Sequence, residues 1–329
     1  MIQRDEYYII GIDGGASKTR GILMNEKGET LATAFDKGTN LAVYGERAAE
    51  RIINIISNLC QSSKISIDMV AAVGLGLAGA SNLDGRDQVF RKLDALNLSK
   101  QTLIANDAEV AYEINCPGDF GILVTVGTGV ICLSHTKQGQ IIRIAGLGHE
   151  EGDIGSGYWM GKQALINLTL NESSVIGDMH LEQIMNIFLQ SIDEENFQVA
   201  IENIQKSEDA IQIIAQLAAP IIQLAEEGNN VALSIVQEAT HAVANYITLI
   251  TDKLTYAENN LVLAGNGSVI RNNYFRKSIN EELRFQFADI EWTFSSISPA
   301  YGAGIMAARL NNIGVKISDI LKGDNLAAS

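Results

Sequence analysis

The sequence predicts an α/β protein built from two related domains, and three observations support this fold class. At 329 residues, of which 47% are hydrophobic, the chain is long enough to form two separate cores. Predicted strands alternate with predicted helices along much of its length. Residues 7–35 and 120–145 also follow one plan of strand, turn, strand, turn and strand, with small residues in the first turn of both. Such an internal repeat indicates a duplicated architecture.

The first predicted domain comprises residues 1–116. It opens with the β-rich segments YYIIGID, KTRGILM and ETLATAF, which the turns GGAS and NEKG join. The elements expected after this meander are a helix over 45–62, a strand over 69–79, a helix over 84–97, a strand over 101–107 and a helix ending near Asn115. Proline and glycine in Cys116-Pro117-Gly118-Asp119 indicate the domain junction.

The second predicted domain comprises residues 117–329 and is more helical. Its strands are FGILVTV, VICLSHT and QIIRIA, followed by strands over 259–267 and 289–295. The expected helices span 153–170, 180–190, 194–205, 208–227, 230–254, 272–287 and 300–312. The final helix is rich in glycine and alanine, which predicts close packing, in particular against the first domain.

Composition excludes several classes of partner. The formal net charge is −15 and no cluster of lysine and arginine is present, so nucleic acid is not an expected ligand. The acidity is compatible with ATP, because backbone N–H groups and a metal ion can hold phosphates. The N-terminal residues MIQRDEYY lack the apolar core of a signal peptide. No apolar run reaches the roughly 20 residues that span a bilayer, so no membrane association is expected.

The cysteines are Cys60, Cys116 and Cys132, and their spacing contains no CxxC pair. A zinc or iron–sulfur site within one chain is therefore not expected. Reduced thiols are typical of a cytoplasmic protein, which is the location we predict.

The turn Asp13-Gly14-Gly15-Ala16-Ser17-Lys18-Thr19 is the first candidate site. Its glycines let the backbone approach a ligand closely, and several N–H groups with the Ser17 hydroxyl can surround one anion. Gly14, Gly15, Ser17 and Lys18 are therefore candidate ATP ligands, and Asp13 can hold Mg²⁺ directly or through water. The turn matches neither GxxxxGK[ST] nor GxGxxG, so the alternative is a tight hairpin with a solvated Asp13.

Two further turns are rich in glycine. Gly127-Thr128-Gly129 is the equivalent turn of the second half, and the two turns together would clamp a triphosphate from both sides of a cleft. Gly265-Asn266-Gly267-Ser268 ends a strand before a helix, and its bare backbone suits an adenine and its ribose. The alternatives are a duplication without a ligand for the first and an ordinary strand–helix turn for the second.

The most specific stretch is Gly146-Leu147-Gly148-His149-Glu150-Glu151-Gly152-Asp153-Ile154-Gly155-Ser156-Gly157-Tyr158-Trp159. It resembles the GWGH–GDEGSxYW signature of the N-acetylglucosamine kinase branch of the actin-like ATPase superfamily. This branch is related to the BadF/BadG/BcrA/BcrD ATPase family, and the resemblance extends from about Tyr7 to Arg309. It implies two duplicated actin-like ATPase domains, with a ribonuclease H-like fold, that flank a nucleotide cleft.

The resemblance implies roles for individual residues. Ser17 and Thr128 match positions that contact ATP phosphates, while Gly228 and the turn 265–268 match the adenosine end. The positions that match sugar ligands are Asn40, Asp107, Gly146, Leu147, Gly148 and Asp153. Asp107 also matches the catalytic carboxylate.

Asp107 can be considered from chemistry as well. It ends the apolar strand QTLIAN and begins a helix, and carboxylates at strand ends commonly face the ligand crevice. An attacking hydroxyl needs a base within hydrogen-bond reach. The alternative is a helix N-cap, and one residue can do both. Asp153 is likewise expected at a helix start, over 153–170.

The implied reaction transfers the γ-phosphate of ATP to an amino sugar with Mg²⁺, and the resemblance implies a homodimer. N-acetylglucosamine, glucosamine and N-acetylmuramic acid remain open as substrates. The family tryptophan is Leu147 here, which removes an aromatic wall of the sugar pocket. The main alternative is a BadF/BadG-type activator of a dehydratase or reductase, which needs paired cysteines for a cluster. A sugar-responsive regulator would need a helix-turn-helix domain, and a filament protein would leave Asn40 and Asp153 without a purpose.

Overall fold

The computed structural model describes residues 7–116, 121–136, 138, 140–148, 153–171, 175–254 and 260–315. The chain folds into two compact units, which comprise residues 1–117 with 295–329 and residues 118–294. The sequence placed residues 117–329 in the second domain and predicted that the final helix, 300–312, packs on the first; the contacts group Ser295 onward with the first unit. Among the described residues, no helix combines the length and the apolar character needed to cross a membrane.

The first unit begins with a strand meander and continues with alternating helices and strands. Its elements up to the junction are β1 (Tyr8–Gly14), β2 (Lys18–Asn25), β3 (Thr30–Lys37), α1 (Leu41–Tyr44), α2 (Glu46–Ser63), β4 (Val70–Leu77), α3 (Leu83–Asp94), β5 (Thr102–Asn106) and α4 (Asp107–Asn115). The short helix α1 was not predicted, and the others lie within a few residues of the predicted bounds.

The second unit repeats the meander and then adds helices. Its elements are β6 (Ile122–Val126), β7 (Val130–His135), β8 (Ile141–Ala145), α5 (Gly157–Leu170), α6 (Met179–Ile192), α7 (Phe197–Lys206), α8 (Ala210–Gln216), α9 (Ala218–Glu226), α10 (Asn230–Leu254), β9 (Asn260–Asn266), α11 (Asn273–Leu283) and β10 (Asp289–Thr293). The last helix, α12 (Pro299–Leu310), belongs to the first unit.

The two units have sheets of the same topology. The strand orders are β3-β2-β1-β4-β5 and β8-β7-β6-β9-β10. In each sheet the first three strands in sequence pair antiparallel, and the last two run parallel to the first. The shared topology confirms the predicted α/β fold with a duplicated domain.

Helix α12 packs closely on the sheet of the first unit. An added Cβ at Gly11 of β1 would lie 1.9 Å from the backbone oxygen of Ala300, and one at Gly74 of β4 would lie 1.8 Å from that of Ala303. A real Cβ could not lie so close to these oxygens, so the helix can approach the strands this closely only because both strand positions are glycine. The small residues of α12 therefore let its backbone rest directly on the two central strands.

The predicted helix over 208–227 is two helices, α8 and α9, which are separated at Leu217. Pro220 provides the physical reason. It has no N–H to donate to the carbonyl of Gln216, so it is tolerated in the first turn of a new helix but not within a continuous one.

Candidate active site

In the first unit, the candidate residues lie where parallel strands end. Strands β1, β4 and β5 are parallel neighbours, so their carboxyl ends meet at one edge of the sheet. Asp13 lies near the end of β1, and Asp107 directly follows β5. This edge is where ligands commonly bind in open α/β sheets.

The turn after β1 is tied to two neighbouring segments by backbone hydrogen bonds. The N–H of Thr39 donates to the oxygen of Gly15 at 3.0 Å, and that of Ala78 donates to the oxygen of Gly14 at 2.8 Å. An added Cβ at Gly14 would lie 1.9 Å from Oγ1 of Thr39. Packing against Thr39 therefore explains this glycine, whereas the nearest atom to a Cβ at Gly15 would be 3.6 Å away.

Ser17 and Lys18 complete this turn, and the structure places them differently. The Ser17 side chain is half-buried, while Lys18 is exposed at the start of β2. The ammonium group of Lys18 still lies near enough to Asp13 to lower the pKa of that carboxyl group.

Asn40 is the N-cap of α1. Its side-chain oxygen accepts from the N–H of Ala42 at 3.0 Å and from that of Val43 at 3.3 Å. An added Cβ at Gly79 would lie 2.4 Å from this oxygen, so the loop after β4 packs tightly around it. The capping bonds use the acceptor of the Asn40 amide and not its two N–H donors.

Asp13 and Asp107 form an electrostatically coupled pair. Burial, together with the negative charge of Asp107, raises the pKa of Asp13 to about 7, and Lys18 and Arg20 act in the opposite direction. Two adjacent carboxylates repel each other, so a cation or a shared proton stabilises them.

Asp107 is the first residue of α4 rather than its N-cap. Asn106 is the N-cap, and its side-chain oxygen accepts from the N–H of Ala108 at 3.0 Å. Oδ1 of Asp107 accepts from the same N–H at 3.0 Å. The capping role considered for Asp107 is therefore shared with Asn106, so a helix cap does not by itself explain the carboxylate.

In the second unit, the first turn of α5 holds the turn 127–129 in place. The N–H of Gly157 donates to the oxygen of Gly127 at 2.7 Å, and the N–H of Tyr158 donates to the oxygen of Thr128 at 3.1 Å. The hydroxyl of Thr128 donates to Oε1 of Gln212 at 3.3 Å. The turn is thereby fixed through its carbonyls and through its one hydroxyl.

The turns after β6 and β9 are neighbours, because these two strands pair in parallel. The N–H groups of Val269 and Ile270 both donate to the oxygen of Val126, at 3.0 and 3.2 Å. Gly267 has a φ of 95°, and an added Cβ there would lie 2.4 Å from that same oxygen. The candidate phosphate turn and the candidate adenosine turn thus form one continuous surface, on which Ser268 lies exposed.

The glycines near this surface serve different purposes. A Cβ at Gly127 would have only ordinary contacts, the nearest at 3.8 Å, while one at Gly265 would lie 2.3 Å from the ring of Phe294. The absence of a side chain at Gly265 is therefore required by packing.

Gly228 follows α9 with a φ of 92° and has no atom within 4 Å of an added Cβ. Helix α9 contacts α11, which follows the turn 265–268.

Asp153 binds the backbone of the predicted sugar loop. Its Oδ1 accepts from the N–H of Leu147 at 2.9 Å and from that of Gly148 at 3.3 Å. Burial raises the pKa of Asp153, and the backbone hydrogen bonds lower it. Its Oδ2 would lie 3.3 Å from a Cβ added at Gly129, so the carboxylate connects the loop 146–148 to the turn 127–129.

The expectation that Asp153 begins a helix is wrong. Helix α5 begins at Gly157, and its N-cap is Ser156, whose Oγ accepts from the N–H of Trp159 at 3.1 Å. Gly155, with a φ of 95°, separates the two possible caps. Residues 149–152 of the motif, which include His149, lie outside the described residues.

The loop 146–148 is open to solvent at its centre. Leu147 is 69% exposed, and Gly146 and Gly148 have φ values of 73° and 101°. Both glycines therefore adopt the left-handed conformation that favours glycine. A side chain at position 147 can change in size without disturbing a core.

Two residues near the site were not found from the sequence. Gln212 on α8 bonds Thr128, and Tyr246 on α10 lies close enough to Asp153 for the carboxylate to raise the pKa of its phenol. Burial is the larger cause of that rise. Both lie in helices far along the chain from the turns, and no local motif marks them.

The duplicated α/β topology is a fold that this chain shares with solved structures of sugar kinases. The BadF/BadG/BcrA/BcrD ATPase family model matches residues 10–307. The chain belongs to this family, which confirms the resemblance seen in the motifs.

Two relatives are similar over nearly their whole length. The N-acetylmuramic acid/N-acetylglucosamine kinase of Clostridium acetobutylicum is 28% identical over 304 residues, which cover 91% of this chain and 98% of the relative. The N-acetyl-D-glucosamine kinase of Dictyostelium discoideum is 26% identical over 311 residues, which cover 91% and 97%.

Solved structures share the fold. A candidate N-acetylglucosamine kinase from Chromobacterium violaceum has a TM-score of 0.73 at 20% identity, over 91% of this chain and 98% of that one. A ROK family glucokinase from Streptomyces griseus, in complex with glucose and AMPPNP, has a TM-score of 0.58 at 18% identity, over 93% and 100%.

Proposed function

We propose that this protein is an ATP-dependent kinase that transfers the γ-phosphate to an amino sugar. The observation that carries the proposal is the coupled pair Asp13 and Asp107 at the carboxyl edge of the first sheet. The chain that carries this pair is similar over 91% of its length to two amino sugar kinases. N-acetylglucosamine is the substrate that both relatives share by name, and N-acetylmuramic acid and glucosamine are further candidates.

In this proposal the two glycine-rich turns hold the phosphates of ATP. The ligands are Gly14, Gly15, Ser17, Lys18, Gly127, Thr128 and Gly129, with Gly228, Gly265, Gly267 and Ser268 at the adenosine end. Backbone N–H groups in such turns bind anions without basic side chains, which suits a chain of net charge −15. We also propose a homodimer in the cytoplasm that does not bind nucleic acid.

Asp13 is the residue that would hold Mg²⁺, directly or through water. The donor set fits, because Mg²⁺ prefers carboxylate oxygens, substrate phosphates and water and needs only one or two protein carboxylates. The raised pKa of Asp13 also fits, since a cation beside it would favour the ionised form that burial disfavours. When bound, Mg²⁺ would neutralise charge on the β- and γ-phosphates.

Asp107 would accept the proton of the sugar hydroxyl as that oxygen attacks the γ-phosphate. Its position after β5, fixed by the first turn of α4, keeps the carboxylate at the edge of the sheet. The amide donors of Asn40 would orient the sugar hydroxyls. Asp153 would bind the sugar, and its hydrogen bonds to the N–H groups of Leu147 and Gly148 would hold the backbone of that loop in place.

The alternative, an activator that carries an iron–sulfur cluster, receives no support from the cysteines. A cluster is bound by thiolates. Cys116 follows α4 in the first unit and Cys132 belongs to the second unit, and burial raises the pKa of both thiols to about 12. Cys132 is fully buried within β7.

A coupled assay of ADP release across a panel of free sugars tests the proposal. We expect release with Mg²⁺ and N-acetylglucosamine, and none without a sugar. The panel should include glucosamine, N-acetylmuramic acid and glucose. Absence of ADP release with every sugar would contradict the kinase function. ADP release with another sugar but not with N-acetylglucosamine would contradict only the proposed substrate.

We expect Gly127→Ala to weaken ATP binding by at least about tenfold, which is roughly 1.4 kcal/mol, without loss of the fold. The new Cβ has room in the protein, with its nearest atom at 3.8 Å, but it would stand between the turn and a phosphate. The larger Gly127→Val should weaken ATP binding more than Thr128→Ala. Calorimetric titration with ATP and, separately, with sugar measures the effect.

The matched control is Gly314→Ala, which lies outside the proposed site. Its added Cβ would have no atom within 4 Å, so this variant should keep both its thermal stability and its affinity for ATP. If Gly127→Ala binds ATP as tightly as the unmodified protein, the turn 127–129 does not contact phosphate.

We expect Leu147→Trp to narrow the range of sugars. An indole at this exposed position would occupy space beside the sugar and offer a flat face for packing. The value of kcat/KM for N-acetylmuramic acid should fall more than that for N-acetylglucosamine. Apolar pockets discriminate by roughly 1–3 kcal/mol per methylene-sized change, so the unmodified protein should accept both. An equal response of the two sugars would place Leu147 away from the discriminating wall.

A further inference from the structure

The hydroxyl of Thr128 has a partner within the protein. It donates to Oε1 of Gln212 at 3.3 Å, across 84 positions of sequence. Gln212 is half-buried near the middle of α8, and no motif marks it. Because Thr128 is a proposed phosphate ligand, its hydroxyl has two competing partners, Gln212 and a phosphate oxygen.

Helix α8 is held firmly against the turn, so the contact follows from the packing of the unit. Helix α5 binds the turn through Gly157 and Tyr158, as described above, and α5 and α8 touch through their backbones. An added Cβ at Gly161 of α5 would lie 2.0 Å from the oxygen of Ile214, and one at Gly157 would lie 3.2 Å from that of Ala215. The turn, α5 and α8 therefore form one packed assembly that presents Gln212 to Thr128.

The direction of this hydrogen bond decides whether the Thr128 hydroxyl can donate to an anion. A threonine hydroxyl has one proton to donate, and phosphate oxygens only accept. While the Thr128 proton points at Gln212, it is not available to a phosphate. A glutamine amide carries an acceptor and two donors on one planar end, so a half-turn of that end presents Nε2 to Oγ1 and releases the proton.

We propose that Gln212 is a positioning residue of the nucleotide site, which controls the direction of the Thr128 hydroxyl. In the free protein Gln212 accepts the proton. In the nucleotide complex its amide turns and donates to Oγ1, so that Thr128 donates to a phosphate oxygen. The inference rests on the proposed function, in which the turn 127–129 binds the phosphates of ATP.

Two substitutions of Gln212 separate this role from a structural one. Gln212→Glu keeps the shape but leaves an ionised group that only accepts, so the Thr128 proton stays on residue 212. We expect about tenfold or greater weakening of ATP binding. Gln212→Leu removes the acceptor, so the proton is free, and ATP binding should stay within about threefold. If the hydrogen bond only stabilised the structure, the order of ATP affinities would be reversed. Gln212→Glu, which keeps the bond, would then bind ATP more tightly than Gln212→Leu, which loses it.

A double-mutant cycle separates the proton from the charge of the glutamate. If Gln212→Glu acts through Thr128, its penalty should largely disappear in a Thr128→Ala background. If the penalty is equally large there, the carboxylate acts by repelling phosphate directly, and the proposal is overturned. Sugar affinity and KM for the sugar should be unchanged in all variants.

Calorimetric titration of each full-length variant with ATP and with ADP gives the affinities, and thermal melting checks the fold. If the unmodified protein binds no ATP, the proposed function fails. If it binds ATP and Gln212→Glu binds equally well, the proposed function survives and the role of Gln212 fails. Should Gln212→Glu not fold, a tenfold loss in Gln212→Leu still overturns the proposal.

Discussion

Replacement of Asp107 by asparagine is expected to lower kcat by ~10²–10⁴-fold, the usual contribution of a positioned base. The amide cannot take the proton of the sugar hydroxyl, while its oxygen can still accept from the N–H of Ala108 as the carboxylate does. Asn106, the N-cap of α4, is untouched. Fold and nucleotide affinity should therefore be retained, and steady-state kinetics with saturating ATP measures the loss.

The control is Asn82→Ala, which removes the N-cap of α3 in the same unit. Asn82 accepts from the N–H of Gly85 at 2.7 Å, and losing such a cap costs about 1 kcal/mol of stability. Its kcat should stay close to that of the unmodified protein. If Asp107→Asn also retains most of its kcat and only melts earlier, Asp107 supports the helix and does not act as a base.

Replacement of Asp13 by asparagine is expected to lower kcat/KM for ATP with Mg²⁺ by ~10²–10³-fold, as for other preorganised electrostatic groups. The same variant should be more stable than the unmodified protein without ligands at pH 8. The folded protein holds the Asp13 proton up to a pKa of about 7, whereas the usual value is 3.8. As pH rises through this window, the unfolded chain gives up the proton first, so the free energy of unfolding falls.

Asparagine at position 13 has no proton to lose, so the stability gained by this substitution should grow between pH 4 and pH 8. Thermal melting across this range, without nucleotide or metal, measures it. Asp84→Asn is the control, because Asp84 is an exposed carboxylate in the first turn of α3 and should show only a small change. A stability difference for Asp13→Asn that does not depend on pH would show that burial of the charge is not the cause.

Local patterns predicted the elements that local chemistry specifies. The meanders over 7–35 and 120–145 and the glycine-rich turns within them were visible from alternation and turn residues. Helices with a single apolar face, such as α2, were also predicted. The continuous apolar pattern over 208–227 hid the division between α8 and α9, although Pro220 was a signal that could have revealed it.

The start of α5 shows where local chemistry is ambiguous. Asp153 and Ser156 are both good N-caps by residue type. Asp153 instead binds the N–H groups of Leu147 and Gly148, and this leaves Ser156 to cap the helix. Which of the two residues caps the helix depends on the hydrogen bonds that the loop 146–148 makes to Asp153. The residue propensities of the segment 153–157 do not reveal these bonds.

The sequence alone determined the duplicated α/β architecture and the places where the backbone is bare, because strand period, turn chemistry and glycine positions are local properties. Only the tertiary structure decided at which of these positions packing requires a glycine. Gly14, Gly265 and Gly267 make room for Thr39, Phe294 and Val126, whereas an added Cβ at Gly15 or Gly127 would meet only ordinary contacts, the nearest at 3.6 and 3.8 Å. Which atoms occupy the place of a missing Cβ depends on segments distant in the chain, and the fold alone brings them there.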